Sequence, residues 1–279
     1  MSDIYAGLAV MGLLSAGALI AALKLRAGRR PLYGLAIATV CLIIFFSLFL
    51  LDDIRMAWLL PFSCLPVVGN WIPPMAFFLT GLAWRLISGK TWRRCVTVLA
   101  LLLLCLWKSY GWFFEPPPDV GDTWKDGVCL QTSESTCSAA SAATILAHYG
   151  IPATEPEMAR LCMSRSWGTS MWGVYRGLKL KTSGTPYRVE LFTPGNKPLR
   201  TMEGPLLLIV GLRRGEHPAD RRYEEDWGWT PGTYHAVCFL AAGPDDLVRM
   251  ADPSIGAEYW SDENIRVLWT GVGVRLVNR

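Results

Sequence analysis

The fold of this chain is decided by the stretch Cys129-Leu130-Gln131-Thr132-Ser133-Glu134-Ser135-Thr136-Cys137-Ser138-Ala139-Ala140-Ser141-Ala142-Ala143-Thr144-Ile145-Leu146. Thr136 as N-cap, the alanines after Cys137 and a closing Gly150 predict a helix from Cys137 to about Tyr149. A helix N-terminus presents unpaired N–H groups and partial positive charge, which stabilise a thiolate. The side-chain amide of Gln131 can donate a hydrogen bond to the oxyanion formed when a thiolate attacks a carbonyl. Gln131 and Cys137 together therefore indicate a nucleophilic cysteine.

A nucleophilic cysteine needs a histidine to take its proton, and the chain contains three histidines. His148 lies on the same predicted helix as Cys137 and about 16 Å away at about 1.5 Å per residue, which is too far. His217 lies in the polar stretch 213–229, which is bounded by Gly and Pro and is predicted to be a surface loop. His235 remains, and it begins an apolar run as a residue at the mouth of a strand does.

The residues after His235 predict a β-hairpin that turns near Gly243-Pro244. This turn places His235 opposite Asp252 on the returning strand, where facing Cβ atoms lie about 5 Å apart. Asp252 is therefore predicted to orient the imidazole. A slip of one residue would turn every side chain to the other face, and Asp252-Pro253 alone is also typical of a turn that ends a strand.

The rest of the C-terminal half changes from helical to alternating periodicity along the chain. Helices are predicted at 137–149, 155–163 and 170–180, and strands at 187–192, 205–212, 233–241, 247–251 and 267–277. Helices followed by strands predict an α+β domain in which helices pack on a mainly antiparallel sheet.

The N-terminal half has the composition of a membrane region. Of the 279 residues, 52% are hydrophobic and only 18% are charged, which is too apolar for one ordinary soluble domain. About four transmembrane helices are expected, at Ile4 to Leu23, Pro31 to Leu51, about Trp71 to Ile87, and Cys95 to about Trp107. The predicted organisation is a helical transmembrane region at 1–114, a Pro-rich linker at 115–122 and the α+β domain at 123–279.

Two basic segments, 24–30 and 85–94, indicate the orientation in the lipid bilayer. Both can face the cytoplasm only if the N-terminus is outside, and four crossings then place the C-terminal domain outside as well. We therefore expect a multi-pass protein of a bacterial inner (cytoplasmic) membrane with an extracytoplasmic domain. If the chain crosses the membrane one time more or one time fewer, the C-terminal domain lies on the cytoplasmic side instead. The net charge of +4 is attributed to topology, and no nucleic acid partner is expected.

The cysteines outside the membrane region give two further expectations. No Cys-x-x-Cys pair occurs in the sequence, so neither a metal nor another cofactor is predicted. In an extracytoplasmic domain Cys129 and Cys162 could pair as a disulfide, which typically contributes about 2–4 kcal/mol. Cys137 is expected to stay free.

Gln131, Cys137, His235 and Asp252-Pro253, in this order, resemble the papain-like peptidases that remove double-glycine leaders from bacteriocins. The segments 168–173 and 269–271 also look like parts of that family, and the resemblance covers roughly 123–277. It implies a papain-like fold and a cysteine peptidase acting on a peptide or protein. It further implies a Cys137–His235–Asp252 triad with Gln131 in the oxyanion hole, and possible association with peptide-export machinery.

The sequence also departs from this family, and two other functions stay open. Ser138 replaces a glycine that is common after the nucleophile, and no ATPase cassette follows in the chain. The same groups could serve an amidase or acyltransferase, or the domain could be a catalytically silent, membrane-tethered peptide-binding domain. The acidic residues 223–226 could recognise basic substrate residues or simply form a solvated loop, and Trp227 and Trp229 could line a cleft or pack within that loop.

Overall fold

The structure, a computed structural model, describes residues 1–192 and 199–279, and residues 104–114 are described by their backbone alone. The chain divides into two compact units, Met1–Pro116 and Pro117–Arg279. Residues 115–122 form neither helix nor strand.

The N-terminal unit consists of helices in the part of the chain that is described. They are α1 (Ser2–Lys24), α2 (Arg29–Phe49), α3 (Met56–Leu59), α4 (Leu65–Val68), α5 (Ile72–Leu86) and α6 (Thr91–Phe114). Three segments, Ser2–Lys24, Arg29–Phe49 and Leu65–Leu86, are long and apolar enough to cross a membrane. The predicted fourth crossing falls on α6, partly on residues 104–114 whose side chains are outside the described set, and it stays a prediction.

Helices α1 and α5 approach each other closely because small residues face each other. A Cβ atom added at Gly81 would lie 2.6 Å from the Cβ of Ala22 and 3.0 Å from the carbonyl oxygen of Leu19. Only glycine allows this separation. Contacts between small residues are how helices associate where the surrounding lipid is as apolar as their side chains.

The C-terminal unit combines helices with a six-stranded sheet. Its elements are β1 (Thr123–Lys125), β2 (Val128–Leu130), α7 (Cys137–His148), α8 (Glu155–Leu161), α9 (Met171–Lys181), β3 (Tyr187–Phe192), a 3-10 turn (Leu199–Thr201), β4 (Leu206–Val210), α10 (Arg222–Glu225), β5 (His235–Ala242), β6 (Val248–Asp252), β7 (Gly256–Trp260), α11 (Asp262–Leu268) and β8 (Trp269–Asn278). The strand order is β3-β8-β4-β5-β6-β7, and every neighbouring pair is antiparallel. The predicted α+β class is confirmed.

Both faces of the central strands are buried. On β5, Ala236 and Cys238 pack against the helical layer of α7, α8 and α9, whereas Val237 and Phe239 pack into a second core with α11. Burial on both faces explains why β5 is a continuous apolar run and not an alternating one. His235 is the first residue of this rigid strand, so the start of β5 is held on two sides.

Several expectations about the elements need correction. Strands β1, β2 and β7 and helix α11 were not predicted, and the predicted last strand begins at Trp269 rather than at Val267. The stretch 213–229 is not wholly a surface loop, because it contains α10 and the fully buried Tyr223.

The predicted disulfide is absent, since Cys129 and Cys162 are both free, buried thiols. Cys162 packs against α9 so tightly that a Cβ atom at Gly177 would overlap its sulfur atom. Burial raises the pKa of each of the two thiols to about 12, so both are chemically inert. These cysteines are core residues of the α7–α9 layer.

Candidate active site

Cys137 is the first residue of α7, a helix whose residues from Ser138 to Leu146 are all buried. The small side chains of this segment let α7 pack directly on the sheet. At its start, Thr136 occupies the N-cap position, but its hydroxyl makes no capping hydrogen bond to the helix. The first N–H groups of α7 therefore keep their positive potential, which acts on the Cys137 sulfur.

The loop before Cys137 is held by a carboxylate at the start of the predicted helix 155–163. Glu155 is fully buried at the beginning of α8. Its carboxylate accepts hydrogen bonds from the Thr132 N–H at 2.9 Å, the Thr132 hydroxyl at 2.8 Å and the Thr136 hydroxyl at 2.5 Å. Thr136 thus holds the loop to α8 and leaves the N-terminus of α7 uncapped. Glu155 fixes the segment between Gln131 and Cys137.

His235 and Asp252 come together at the ends of two neighbouring strands. Nε2 of His235 donates to Oδ1 of Asp252 at 2.8 Å. The predicted register is nevertheless wrong, because Met250 pairs with Phe239 where the prediction requires Val237. A shift of two residues keeps each side chain on its face, so His235 and Asp252 become diagonal neighbours and still meet.

The electrostatics of the site favour a thiolate paired with an imidazolium. Burial opposes ionisation of Cys137, but hydrogen bonds from His235, the Ala236 N–H and Ser138, with the charge of His235, lower the pKa of its thiol. Burial likewise opposes protonation of His235, yet its bonds to Asp252 and Cys137 raise the pKa of the imidazole to about 10. Burial alone would raise the pKa of Asp252. The hydrogen bonds from His235 and Ser254 outweigh burial, so the pKa of Asp252 is lowered.

Gln131 is joined to the same site through the turn that follows β6. Its backbone N–H donates to the Pro253 carbonyl at 2.8 Å. The hydroxyl of Ser254 donates to Oε1 of Gln131 at 3.3 Å and lies 3.4 Å from Nε2 of His235. Nε2 of Gln131 donates to the Ser133 carbonyl at 3.2 Å and retains a second N–H. The structure thus brings the four predicted site residues together.

Sequence reasoning missed Ser254, which reads as an ordinary turn residue after Asp252-Pro253. The other two histidines lie elsewhere: His148 is exposed, and His217 pairs with Glu224 at 2.9 Å on the surface. Among the side chains that the structure describes, no group of three or more His, Cys, Asp or Glu residues could hold a metal ion.

The fold and the site define an α+β domain with a Cys–His–Asp arrangement at the end of an antiparallel sheet. The chain is similar to the peptidase domain of Streptococcus ComA, a bi-functional ABC transporter involved in a quorum sensing pathway, with 15% identity and a TM-score of 0.41 over 54% of this chain and 96% of that one. The peptidase domain of Streptococcus mutans ComA gives 13% identity and a TM-score of 0.35 over 54% and 98%.

A third similar structure is the double glycine motif protease from an AMS/PCAT transporter in complex with the leader peptide. It shares 15% identity and has a TM-score of 0.40, covering 60% of this chain and 96% of that one. No family model matches the chain, and no curated protein matches it either. At these values the three structures carry no argument about chemistry, which has to come from the residues of this chain.

Alkylation of Cys137 should depend on pH in a way that His235 controls. In the wild type, the rate with iodoacetamide should rise through a midpoint below the ordinary thiol pKa of 9.0, because the lowered pKa populates the thiolate early. In His235→Ala the stabilising partner is gone while burial remains, so the midpoint should move above 9.0. The measurement is mass mapping of alkylated Cys137 against pH.

The control is His217→Ala, which removes a surface histidine and should leave the midpoint unchanged. Identical midpoints in the wild type and His235→Ala would show that His235 does not activate the thiol.

Replacement of Glu155 by glutamine should loosen the loop that carries Cys137. The amide places an N–H₂ group where the carboxylate accepted hydrogen bonds, so the free energy of unfolding should fall by about 1–3 kcal/mol. The matched control is Glu157→Gln on the same helix, which removes a partly exposed pair with Lys181 and should cost about 0–1 kcal/mol. Denaturant titration of both variants measures the difference, and equal losses would contradict a special role for Glu155.

Proposed function

We propose that the C-terminal unit is a papain-like cysteine peptidase that cleaves a peptide or protein substrate. Cys137 is the nucleophile, His235 the general base and acid, Asp252 the residue that orients His235, and Gln131 a donor to the oxyanion. The observation that carries this proposal is the chain of contacts from Cys137 through His235 to Asp252, with an imidazole whose pKa is raised to about 10.

In the first half of the reaction, the sulfur of Cys137 attacks the substrate carbonyl carbon and forms a C–S bond. The carbonyl oxygen becomes an oxyanion, which accepts hydrogen bonds from the Cys137 N–H and the free side-chain N–H of Gln131. When the C–N bond breaks, the His235 imidazolium gives its proton to the leaving amine.

In the second half, the neutral imidazole of His235 takes a proton from water, which attacks the thioester carbon. The C–S bond breaks, a carboxylic acid product leaves, and the thiolate–imidazolium pair is restored. Asp252 keeps Nδ1 of His235 on the side of Cys137 in both halves, because it holds Nε2.

Peptide cleavage tests the assignment of Cys137 and Gln131. The purified full chain in detergent should release new amino termini from a mixture of N-terminally blocked decapeptides, read by mass spectrometry. Cys137→Ala should abolish release. Gln131→Ala should lower the rate by about 10²–10³-fold, the usual cost of one oxyanion donor, while alkylation of Cys137 stays fast.

The control for removing a thiol is Cys95→Ala, which deletes an exposed cysteine of the N-terminal unit and should change nothing. Release that persists in Cys137→Ala would refute the peptidase. Fast alkylation of Cys137 without peptide cleavage would point to an amidase or acyltransferase instead, and slow alkylation to a peptide-binding domain.

We further propose that the N-terminal unit anchors this peptidase in a bacterial cytoplasmic membrane and that the peptidase faces outward. Three described helices are apolar and long enough to cross, and α6 provides the fourth crossing. The basic segments 24–30 and 85–94 then lie in the cytoplasm, as positively charged connections do. Four crossings from an outer N-terminus return the chain to the outside.

Epitope tags measure this topology. In intact bacterial spheroplasts, a tag placed after Arg279 should be digested by added protease, whereas a tag inserted at Gly28, an exposed position in the α1–α2 connection, should be protected until lysis. The reverse pattern, or digestion of both tags, would contradict the proposed orientation.

A further inference from the structure

A cleft of about 530 Å³ lies beside the imidazole of His235. His235, Asp252 and Ser254 form one side of it, and the rest is mainly aromatic, with Trp227, Trp229 and Tyr259. Neither Cys137 nor Gln131 is among the described residues that line this cleft. The cleft therefore adjoins His235 without including the nucleophile.

The position of the cleft beside His235 determines which half of the substrate it contacts. The acyl half becomes attached to Cys137, whereas the leaving nitrogen has to lie next to His235 in order to receive its proton. The chain that follows this nitrogen then continues over His235 and Asp252. The cleft is where the first residues after the cleaved bond reside.

The cleft contains one carboxylate that the reaction does not use. Glu258 lies on β7, diagonally across from Asp252, because Gly256 pairs with Asp252 and Met250 with Glu258. One of its oxygens accepts a hydrogen bond from the Trp260 indole at 2.6 Å. Burial and the nearby charge of Asp252 raise the pKa of the Glu258 carboxyl. A cation bound in the cleft would oppose the effects of burial and of Asp252, because positive charge stabilises the ionised carboxylate of Glu258.

The walls also suit a cation. Trp227 and Tyr259 are 46% and 52% exposed, so their rings are accessible to a ligand. Trp227 already takes the guanidinium of Arg222 at 5.1 Å from its centroid, and Asp220 neutralises that arginine at 2.7 Å. Aromatic faces attract cations most strongly when water is excluded, as between the rings of a cleft.

We propose that this cleft binds the cationic side chain of a lysine or arginine that directly follows the cleaved bond. The proposal rests on the proposed peptidase function for the direction of the substrate. The side chains that line the cleft include two acids, Asp252 and Glu258, and one base, His235, so the lining favours a positively charged ligand. Two of the acidic residues considered earlier for recognising basic substrates are engaged elsewhere, since Glu224 pairs with His217 and Glu225 with Arg221.

Binding of argininamide to the full chain in detergent tests the cleft without catalysis. Its free α-amine represents the leaving amine after cleavage, and citrullinamide is a neutral probe of the same shape. Ligand-observed NMR should show about tenfold tighter binding of argininamide, because only the guanidinium combines a partner carboxylate with aromatic faces. Glu258→Gln should reduce this ratio to near one.

The matched control is Glu263→Gln, an acidic residue of the neighbouring α11 that does not line the cleft, and it should keep the ratio. Equal binding of the two amides to the wild type, or a ratio that survives Glu258→Gln, would overturn the proposal. The comparison of the two amides in the wild type requires no variant. It therefore tests the proposal even if the Glu258→Gln protein folds poorly.

Peptide cleavage by the wild type, measured beside this titration, separates the proposal from the proposed function. A preference for argininamide in a wild-type chain that cleaves no peptides would refute the peptidase and support cation binding in the cleft. Cys137-dependent cleavage of peptides without any preference between the two amides would support the peptidase and refute cation binding in the cleft.

Discussion

The hydrogen bond between His235 and Asp252 is the contact on which the site depends. It joins the first residue of β5 to the last residue of β6, so two strand ends have to be aligned for it to form. It also fixes which ring nitrogen faces Cys137, because Asp252 occupies Nε2. A buried histidine alone would lose its proton, and only the paired carboxylate and thiolate keep the imidazolium stable.

Rigid surroundings hold that contact in place. The strands that carry it are buried on both faces, and the small side chains of α7 bring the helix N-terminus against the sheet. Glu155 then secures the loop between Gln131 and Cys137 from the side of α8. Each residue of the candidate site is therefore positioned by a different element, which is how a site keeps its geometry without relying on one flexible loop.

The residues that meet at the site were more predictable than the register that brings them together. Gln131, Cys137 and His235 follow from local patterns: a helix start, a spacing, and elimination among three histidines. The register of the hairpin does not, because the turn lies further along the chain than predicted, so that Ala242 pairs with Val248. A bulge between Phe239 and Ala241 then leaves a net shift of two residues at the His235 end. The prediction that His235 meets Asp252 survived only because an even shift preserves the face of a strand.

Residues that act through tertiary contacts left no comparable signal. Glu155 looks like any acidic residue in the first turn of a helix, and its burial depends on a loop some twenty residues earlier. Ser254 and Glu258 look like turn and strand residues until β7 is placed beside β6. The disulfide prediction failed for the same reason, since the packing of Cys162 against Gly177 is invisible in the spacing of cysteines.

In the proposed reaction, the coupling between Cys137 and His235 also accounts for how one imidazole can serve as acid and then as base. Its pKa of about 10 is sustained partly by the bond to the thiolate and by its charge. Once the sulfur is acylated, it carries no charge and cannot accept that bond, while burial still opposes protonation. The pKa of His235 then falls, and the group that gave its proton to the leaving amine becomes the base that activates water. The acylation state of Cys137 thus sets the role of His235 in each half of the reaction.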